Sequence, residues 1–396
     1  MKKHLLFAVT ALLLLSCSSD KDALTGDIWR GTLLTKSSAE IPFNFRFTGA
    51  DTALLMEIYT GDHVYKVDEI EVTTDSVFIE MPLFGSSFRL ARSEGKLAGE
   101  FIRSSYTMPF EAIKGVADRF DSLHTPTGKA HGRWCVYLGE KRVIGEFNES
   151  DSMITGSFLT PTGDYRYFEG VLDKEGTIMM SSFDGGFVRF FTATTDGENL
   201  RKLKMYTGLE GEETGWGFRA DTMKLPDAYS VTGMKKGYKS LGFAFPNLNG
   251  EMVSLSDQKF RDKVTIVQIS GSWCPNCLDE SEYLSEVYSK YSPGLEIVAL
   301  AFERADSFEE AKKAAGKLAY VAGIPYDVLV TSQTPAKVGE ALPELENFKA
   351  FPTTIIIDKK GVVRKIHSGF SGPGTGVHFQ KYKMEFEKFL DELIAE

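Results

Sequence analysis

Between about residues 27 and 221 the apolar positions recur at every second residue. Phe43, Phe45 and Phe47 alternate with Asn44 and Arg46, and Val77-Phe78-Ile79-Glu80-Met81 and part of Trp134-Cys135-Val136-Tyr137-Leu138 follow the same rule, which is the pattern of strands with one buried face. Turn-forming clusters such as Thr48-Gly49-Ala50-Asp51, Ser93-Glu94-Gly95-Lys96, Thr162-Gly163-Asp164, Asp173-Lys174-Glu175-Gly176 and Asp196-Gly197 punctuate these runs. No long amphipathic helix intervenes, so residues 27–225 are expected to form an all-β antiparallel barrel or sandwich. A Trp near a Gly opens each of two halves, 27–114 and 130–225 (Trp29-Arg30-Gly31 and Gly132-Arg133-Trp134), and Gly99-Glu100-Phe101 has a counterpart in Gly145-Glu146-Phe147. Either the halves are related by duplication, or Gly-x-Phe is simply common where twisted strands begin. The stretches 183–187 and 212–216 read as turns, the latter a candidate rim for a ligand.

The period changes after 226–239, a segment with Pro226, Gly233 and Gly237 that reads as a linker. Continuous apolar strands are expected over 264–269, 295–302, 326–330 and 353–357, with 361–367 returning beside the last across Lys359-Lys360-Gly361. Helices are expected over 277–291, 307–322 and 378–394. The second opens on Ser307 with Glu310 three residues on, a capping box, and the third lines Phe379, Tyr382, Phe386, Phe389 and Leu393 along one face. Strands alternating with helices make 240–396 an α/β unit.

The chain has 396 residues and a net charge of −10, a balance that lacks the basic footprint of a nucleic-acid binder. Met1-Lys2-Lys3-His4 followed by apolar residues 5–15 has the layout of a secretory signal. Leu14-Leu15-Ser16-Cys17 resembles the bacterial lipobox, which implies removal of residues 1–16, lipidation of Cys17 and a tether over 17–26. That resemblance places the protein in the cell envelope, lipid-anchored and extracytoplasmic, facing the periplasm or exposed on the outer membrane. Ser18, where lipoproteins kept at the inner membrane carry Asp, favours the outer one.

Of four cysteines, Cys17 is taken by lipid, Cys135 alternates with apolar neighbours as a small buried hydrophobe would, and Cys274 and Cys277 form a Cys-x-x-Cys where strand meets helix. Half of a zinc site would need a second ligand pair, and His63, His124, His131, His367 and His378 offer none at ligand spacing. Neither metal nor cofactor is expected. A helix N-terminus stabilises a thiolate, the nucleophile of thiol-disulfide exchange.

Residues 238–396 resemble the thioredoxin superfamily, and within it the membrane-anchored TlpA-type disulfide reductases, through Trp273-Cys274-Pro275-Asn276-Cys277, Phe351-Pro352-Thr353 and the Lys359-Lys360-Gly361 hairpin. The resemblance implies a thioredoxin fold with Cys274 attacking and Cys277 resolving. It makes Pro352 the cis-proline beside the pair, and it gives a substrate groove that includes Trp273, Pro275 and a bulky Phe351. It also assigns proton transfer to Glu280; from the pattern alone, Glu280 is either a buried carboxylate with a raised pKa or a first-turn residue whose head reaches solvent. Gln268 stands where thioredoxins place a buried Asp, and an amide cannot relay a proton. The implied activity is extracytoplasmic reduction of protein disulfides through a mixed disulfide, with disulfide-bonded proteins as substrates and a membrane electron-donor protein as partner. The alternatives are a thiol peroxidase of a related subfamily and a surface lipoprotein whose β-domain captures a ligand.

Overall fold

The computed structural model describes residues 24–50 and 53–396; Cys17 and the proposed signal lie outside the described residues. Two nine-stranded antiparallel sheets precede a five-stranded mixed sheet. The first runs as a meander from Ile28–Leu34 to Tyr106–Lys114, and its last strand pairs back onto its first, Trp29 opposite Lys114. Its two outermost strands, His63–Val67 and Ile70–Val72, do not pair with each other, so this sheet curls without closing. The second sheet begins at Gly132–Leu138 and ends at Gly211–Arg219, again first against last. There Lys141–Glu149 also pairs with Ile154–Thr160, which closes the strands into a barrel and leaves the two-residue strand Gly163–Asp164 on its rim.

The alternation read from the sequence places Phe43, Phe45 and Phe47 inside the first sheet, each at most 1% exposed. Trp29 and Trp134 occupy the opening strand of their respective sheets, and each indole N–H donates to a carbonyl just upstream, of Leu24 and of Ala130, at 2.9 Å. The Gly-Glu-Phe triplets do not correspond in this way. Gly99 lies on Lys96–Arg103, the strand before the last of the first sheet, and Gly145 on Lys141–Glu149, the second strand of its own. Residues 212–216 are strand and not turn: a Cβ on Gly215 would sit 1.9 Å from the Tyr137 carbonyl oxygen, so that glycine serves close strand approach. Phe183, at the end of Thr177–Phe183, reaches into the first sheet and meets Phe43 at 4.3 Å between ring centroids.

In the C-terminal unit β1 (Val264–Ser270), β2 (Leu295–Ala301), β3 (Asp327–Val330), β4 (Thr353–Ile357) and β5 (Val363–Ser368) are ordered β3-β2-β1-β4-β5. Strand β1 is central, parallel to β2 and antiparallel to β4. Helices α1 (Pro275–Tyr291), α2 (Phe308–Val321) and α3 (Val377–Ala395) complete the layers, giving the thioredoxin-like α/β arrangement. Ser307 caps α2 through Glu310 N–H at 3.2 Å, while the Glu310 carboxylate reaches the N–H of Asp306. The segment 226–239 runs along this unit: Gly233–Met234 pairs with Leu345–Glu346, and Ser368 Oγ bonds Thr232 Oγ1 at 2.7 Å. The β-sheets also touch the α/β unit, since Leu278 of α1 and Leu318 of α2 are buried with the aromatic core of the first sheet. Among the described residues no helix is long and apolar enough to cross a membrane.

Candidate active site

Every residue of β1 is buried, so the chain leaves the sheet at a fixed point and turns through Gly271-Ser272-Trp273 into α1. Ser272 is held there by Glu303, which accepts from its N–H at 2.9 Å and its hydroxyl at 2.7 Å. The Trp273 indole donates to the Phe302 carbonyl at 2.9 Å, under the Arg304 guanidinium 4.0 Å from its ring centroid and edge-on to Phe351 at 4.9 Å. Cys274 is the N-cap of α1 and Pro275 its first residue, where a missing N–H costs nothing. Both cysteines are free thiols. Cys274 is 5% exposed and Cys277 fully buried. Cys274 Sγ lies 3.5 Å from the Phe351 carbonyl oxygen, and the Phe351–Pro352 bond is cis. Burial, the neighbouring Cys274 and the Glu280 charge push the Cys277 thiol well above its ordinary value, so it keeps its proton until a base removes it.

One helical turn beyond Cys277, Glu280 is fully buried. Its head does not reach solvent, and burial lifts its carboxyl to about 7 against the pull of two hydrogen bonds. Those bonds come from Gln268 Nε2 at 2.9 Å and Thr354 Oγ1 at 2.7 Å, from β1 and β4 respectively. Gln268 Oε1 in turn accepts from Ser281 at 3.1 Å. The amide that cannot relay a proton therefore orients the carboxyl that can, and a buried acid that titrates near neutrality is suited to exchange a proton with a thiol.

The remaining groups come from the barrel. Asp164, on the rim strand, accepts from the Gly372 N–H at 2.6 Å and from Asn276 Nδ2 at 3.3 Å, and Asn276 also donates to the Phe370 carbonyl at 3.0 Å. Arg166, in a left-handed backbone conformation at φ 60°, forks onto Asp279 of α1 at 2.6 and 2.9 Å and reaches Asp184 at 2.9 Å with its other nitrogen. All three of these side chains are buried. Desolvation and the charge of Asp279 raise Asp164 to about 7. Gly369, at φ 78°, lets the loop after β5 pass beneath Thr162, whose carbonyl carbon a Cβ there would meet at 2.6 Å.

The structure thus brings together Trp273, Cys274, Pro275, Cys277, Glu280, Phe351 and Pro352, while Cys17 lies outside the described residues and Cys135 is buried in a barrel strand. Asp164, Arg166, Asp279, Asn276 and Thr354 were not singled out from the sequence as site residues. Thr162-Gly163-Asp164 announced only a turn, and nothing local to Asp279 marks a partner 113 residues away. Among the described residues no cluster of His, Cys, Asp and Glu is arranged to hold a metal ion.

Comparison with known proteins gives a match of residues 223–382 to the Redoxin family. The chain is similar to the thiol-disulfide oxidoreductase ResA of Bacillus cereus, 31% identical over 168 residues that make up 41% of this chain and 83% of that one. It is also similar to the thioredoxin-like protein YneN of Bacillus subtilis, 27% identical over 158 residues, or 39% and 82% of the two chains. Among solved structures, the thioredoxin domain of a thiol-disulfide oxidoreductase from Bacteroides vulgatus is 21% identical, covers 38% of this chain and 99% of its own, and has a TM-score of 0.29.

Proposed function

The chain belongs to the thioredoxin-like thiol-disulfide oxidoreductases, and we propose that it reduces protein disulfides outside the cytoplasm through Cys274 and Cys277, from a lipid anchor at Cys17. The observation that carries this reading is the buried dithiol at the start of α1 with a neutral-range carboxyl, Glu280, one turn further on. Cys274, as thiolate, attacks one sulfur of a substrate disulfide, and the other sulfur leaves as a thiolate and takes a proton. Cys277 then gives up its proton to Glu280 and attacks Cys274 Sγ, so the second substrate sulfur departs and the pair closes as a disulfide. Two electrons have passed to the substrate, and a membrane dithiol donor restores the pair. The backbone of Phe351 and Pro352, beside Cys274 and leading into β4, gives a substrate segment a surface to pair with.

Support for an extracytoplasmic anchor is the sequence before the described residues, Leu14-Leu15-Ser16-Cys17. The test is to express Cys277→Ala in a Gram-negative envelope and resolve its disulfide-linked adducts by non-reducing gels and mass spectrometry. Protein adducts through Cys274 that vanish in the Cys274→Ser, Cys277→Ala double variant are expected. A redox potential of the native pair near −270 mV supports reduction, and one near −120 mV overturns it in favour of oxidation.

A further inference from the structure

The turn between the two cysteines is held from the barrel side. Asn276, 9% exposed, donates through Nδ2 to Asp164 Oδ1 at 3.3 Å and to the Phe370 carbonyl at 3.0 Å. Asp164, 6% exposed, accepts with its other oxygen from the Gly372 N–H at 2.6 Å. In the same loop the Gly369 N–H donates to the Pro352 carbonyl at 2.8 Å. One barrel carboxyl therefore ties the Cys274–Cys277 turn to the loop that also holds the cis-proline. Gly163, at φ 138°, permits this approach, since a Cβ there would lie 3.2 Å from Asn276 Cγ and Nδ2 and 3.1 Å from the Phe370 carbonyl oxygen.

Three observations make this contact a clamp on the reacting geometry. First, Nδ2 carries two hydrogens and both are engaged, each by an atom that can only accept, so the Asn276 side chain has a single orientation. Second, the cation nearest Asp164 is committed elsewhere. Arg166 forks onto Asp279 and reaches Asp184, which leaves the Asp164 carboxyl to the Arg166 and Gly372 N–H groups and to Asn276. Third, the Cys277 thiol lies within hydrogen-bond reach of Cys274. The clamped turn already holds the two sulfurs facing one another, and closing the disulfide needs little further movement. Holding two reacting groups in this way raises their effective concentration toward each other.

We propose that Asp164, from the barrel, is a positioning residue for disulfide exchange: through Asn276 it holds the Cys274–Cys277 turn ready to close and so makes the pair a stronger reductant. The step it favours is closure. The Cys277 thiolate, its proton passed to Glu280, forms the S–S bond to Cys274 Sγ, and the substrate sulfur departs with the electron pair of the broken bond. This inference rests on the exchange chemistry proposed above and assigns part of its driving force to the barrel.

Equilibration of the full chain with glutathione redox buffers at pH 7 tests this, because the equilibrium constant for closing the pair measures the effective concentration of one sulfur at the other. The native protein is compared with Asp164→Ala, Asn276→Ala and the double variant, each first shown by circular dichroism to be folded. Each single substitution should lower the constant about tenfold, the scale of one net hydrogen bond, which is a potential about 30 mV less negative. The double variant should fall no further, since both changes break the same link. Release of glutathione from its mixed disulfide with Cys274 should slow in step. Asn276→Ala alters no charge and leaves the other bonds of Asp164 in place, so it reads the clamp even where Asp164→Ala does not fold. Constants equal to the native one in the folded variants, a fall in Asp164→Ala without one in Asn276→Ala, additive effects in the double variant, or a more negative potential in either single variant would each overturn the proposal. A native pair that is itself strongly oxidising would overturn the reading of reduction, whereas a reducing native pair with unaltered variants would overturn only the role of Asp164.

Discussion

Replacing Glu280 by Gln tests the central electrostatic feature of the site, because it separates what the carboxyl costs the fold from what it does for the chemistry. A Gln is nearly isosteric, can still accept from Gln268 and can donate to the Thr354 hydroxyl, so the packing stays filled. In the folded protein the carboxyl titrates at about 7 instead of the ordinary 4.5. Folding therefore favours its protonated form. The stability linked to that proton is fully present below about pH 4.5 and is lost as pH rises through about 7, by about 3 kcal/mol for the full interval. The variant lacks this loss. Guanidinium unfolding of both proteins in their disulfide form, at pH 5 and pH 8, should show native stability falling between the two pH values by about 2–3 kcal/mol more than that of Glu280→Gln, so that the variant is relatively stabilised at pH 8. The same variant should release product from a Cys274 mixed disulfide about a hundredfold more slowly at pH 7, the scale of a lost general base. Parallel pH dependences in the two proteins would refute the buried neutral acid, and unaltered release would refute its role in deprotonating Cys277.

Other buried groups set the wider pH response. Asp164 and Glu282, like Glu280, are raised to about 7 and cost stability as pH climbs from about 4 towards 7, whereas buried neutral His63 and His367, lowered to about 4, cost stability as pH falls from 6.5 towards 4. Between about pH 4 and 6.5 the two sets oppose each other, whereas above about 6.5 only the three acids act, so the melting temperature should fall between about pH 6.5 and pH 8, and a rise over that interval would contradict these assignments. Arg166→Met leaves Asp279 and Asp184 buried without their shared cation, which should destabilise the docked arrangement by about 3–5 kcal/mol; faster proteolysis around 226–239 is the expected readout, and a cleavage rate equal to that of the native protein would count against docking through this cluster. Brief treatment of the reduced protein with iodoacetamide at pH 7.5 should alkylate Cys274 and spare Cys277 and Cys135, both buried and both with thiols pushed up. Peptide mass spectrometry reads the distribution, and early modification of Cys277 would show the burial to be wrong.

The parts of this architecture that depend on short-range pattern were legible before any coordinates. Period-two alternation located the Phe43-Phe45-Phe47 strand, Ser307 and Glu310 marked the start of α2, and the apolar run into Trp273-Cys274 placed the dithiol at a helix N-terminus. Glycine was ambiguous at 215, where a close strand approach and a turn look alike in sequence. Glu280 could be read two ways because its environment is set by β1 and β4, whose side chains Gln268 and Thr354 are 12 and 74 residues away. Asp164 and Arg166 were invisible for the same reason in stronger form, since Arg166 and Asp279 are separated by 113 positions. Local preference cannot report a pairing that exists only after two units have folded and met.

That pairing bears on how the protein should be dissected. A C-terminal fragment starting near residue 240 would retain both cysteines, Glu280 and Pro352, and would look complete by any motif. It would nevertheless present Asp279 without Arg166, Asn276 and the Gly372 N–H without Asp164, and Leu278 without the apolar residues that cover it. Water would fill those places, and the first two turns of α1 would carry an extra exposed carboxylate beside the dithiol. A potential or thiol reactivity measured on such a fragment would belong to a different electrostatic environment, and the intact chain is the unit in which this redox centre has its own properties.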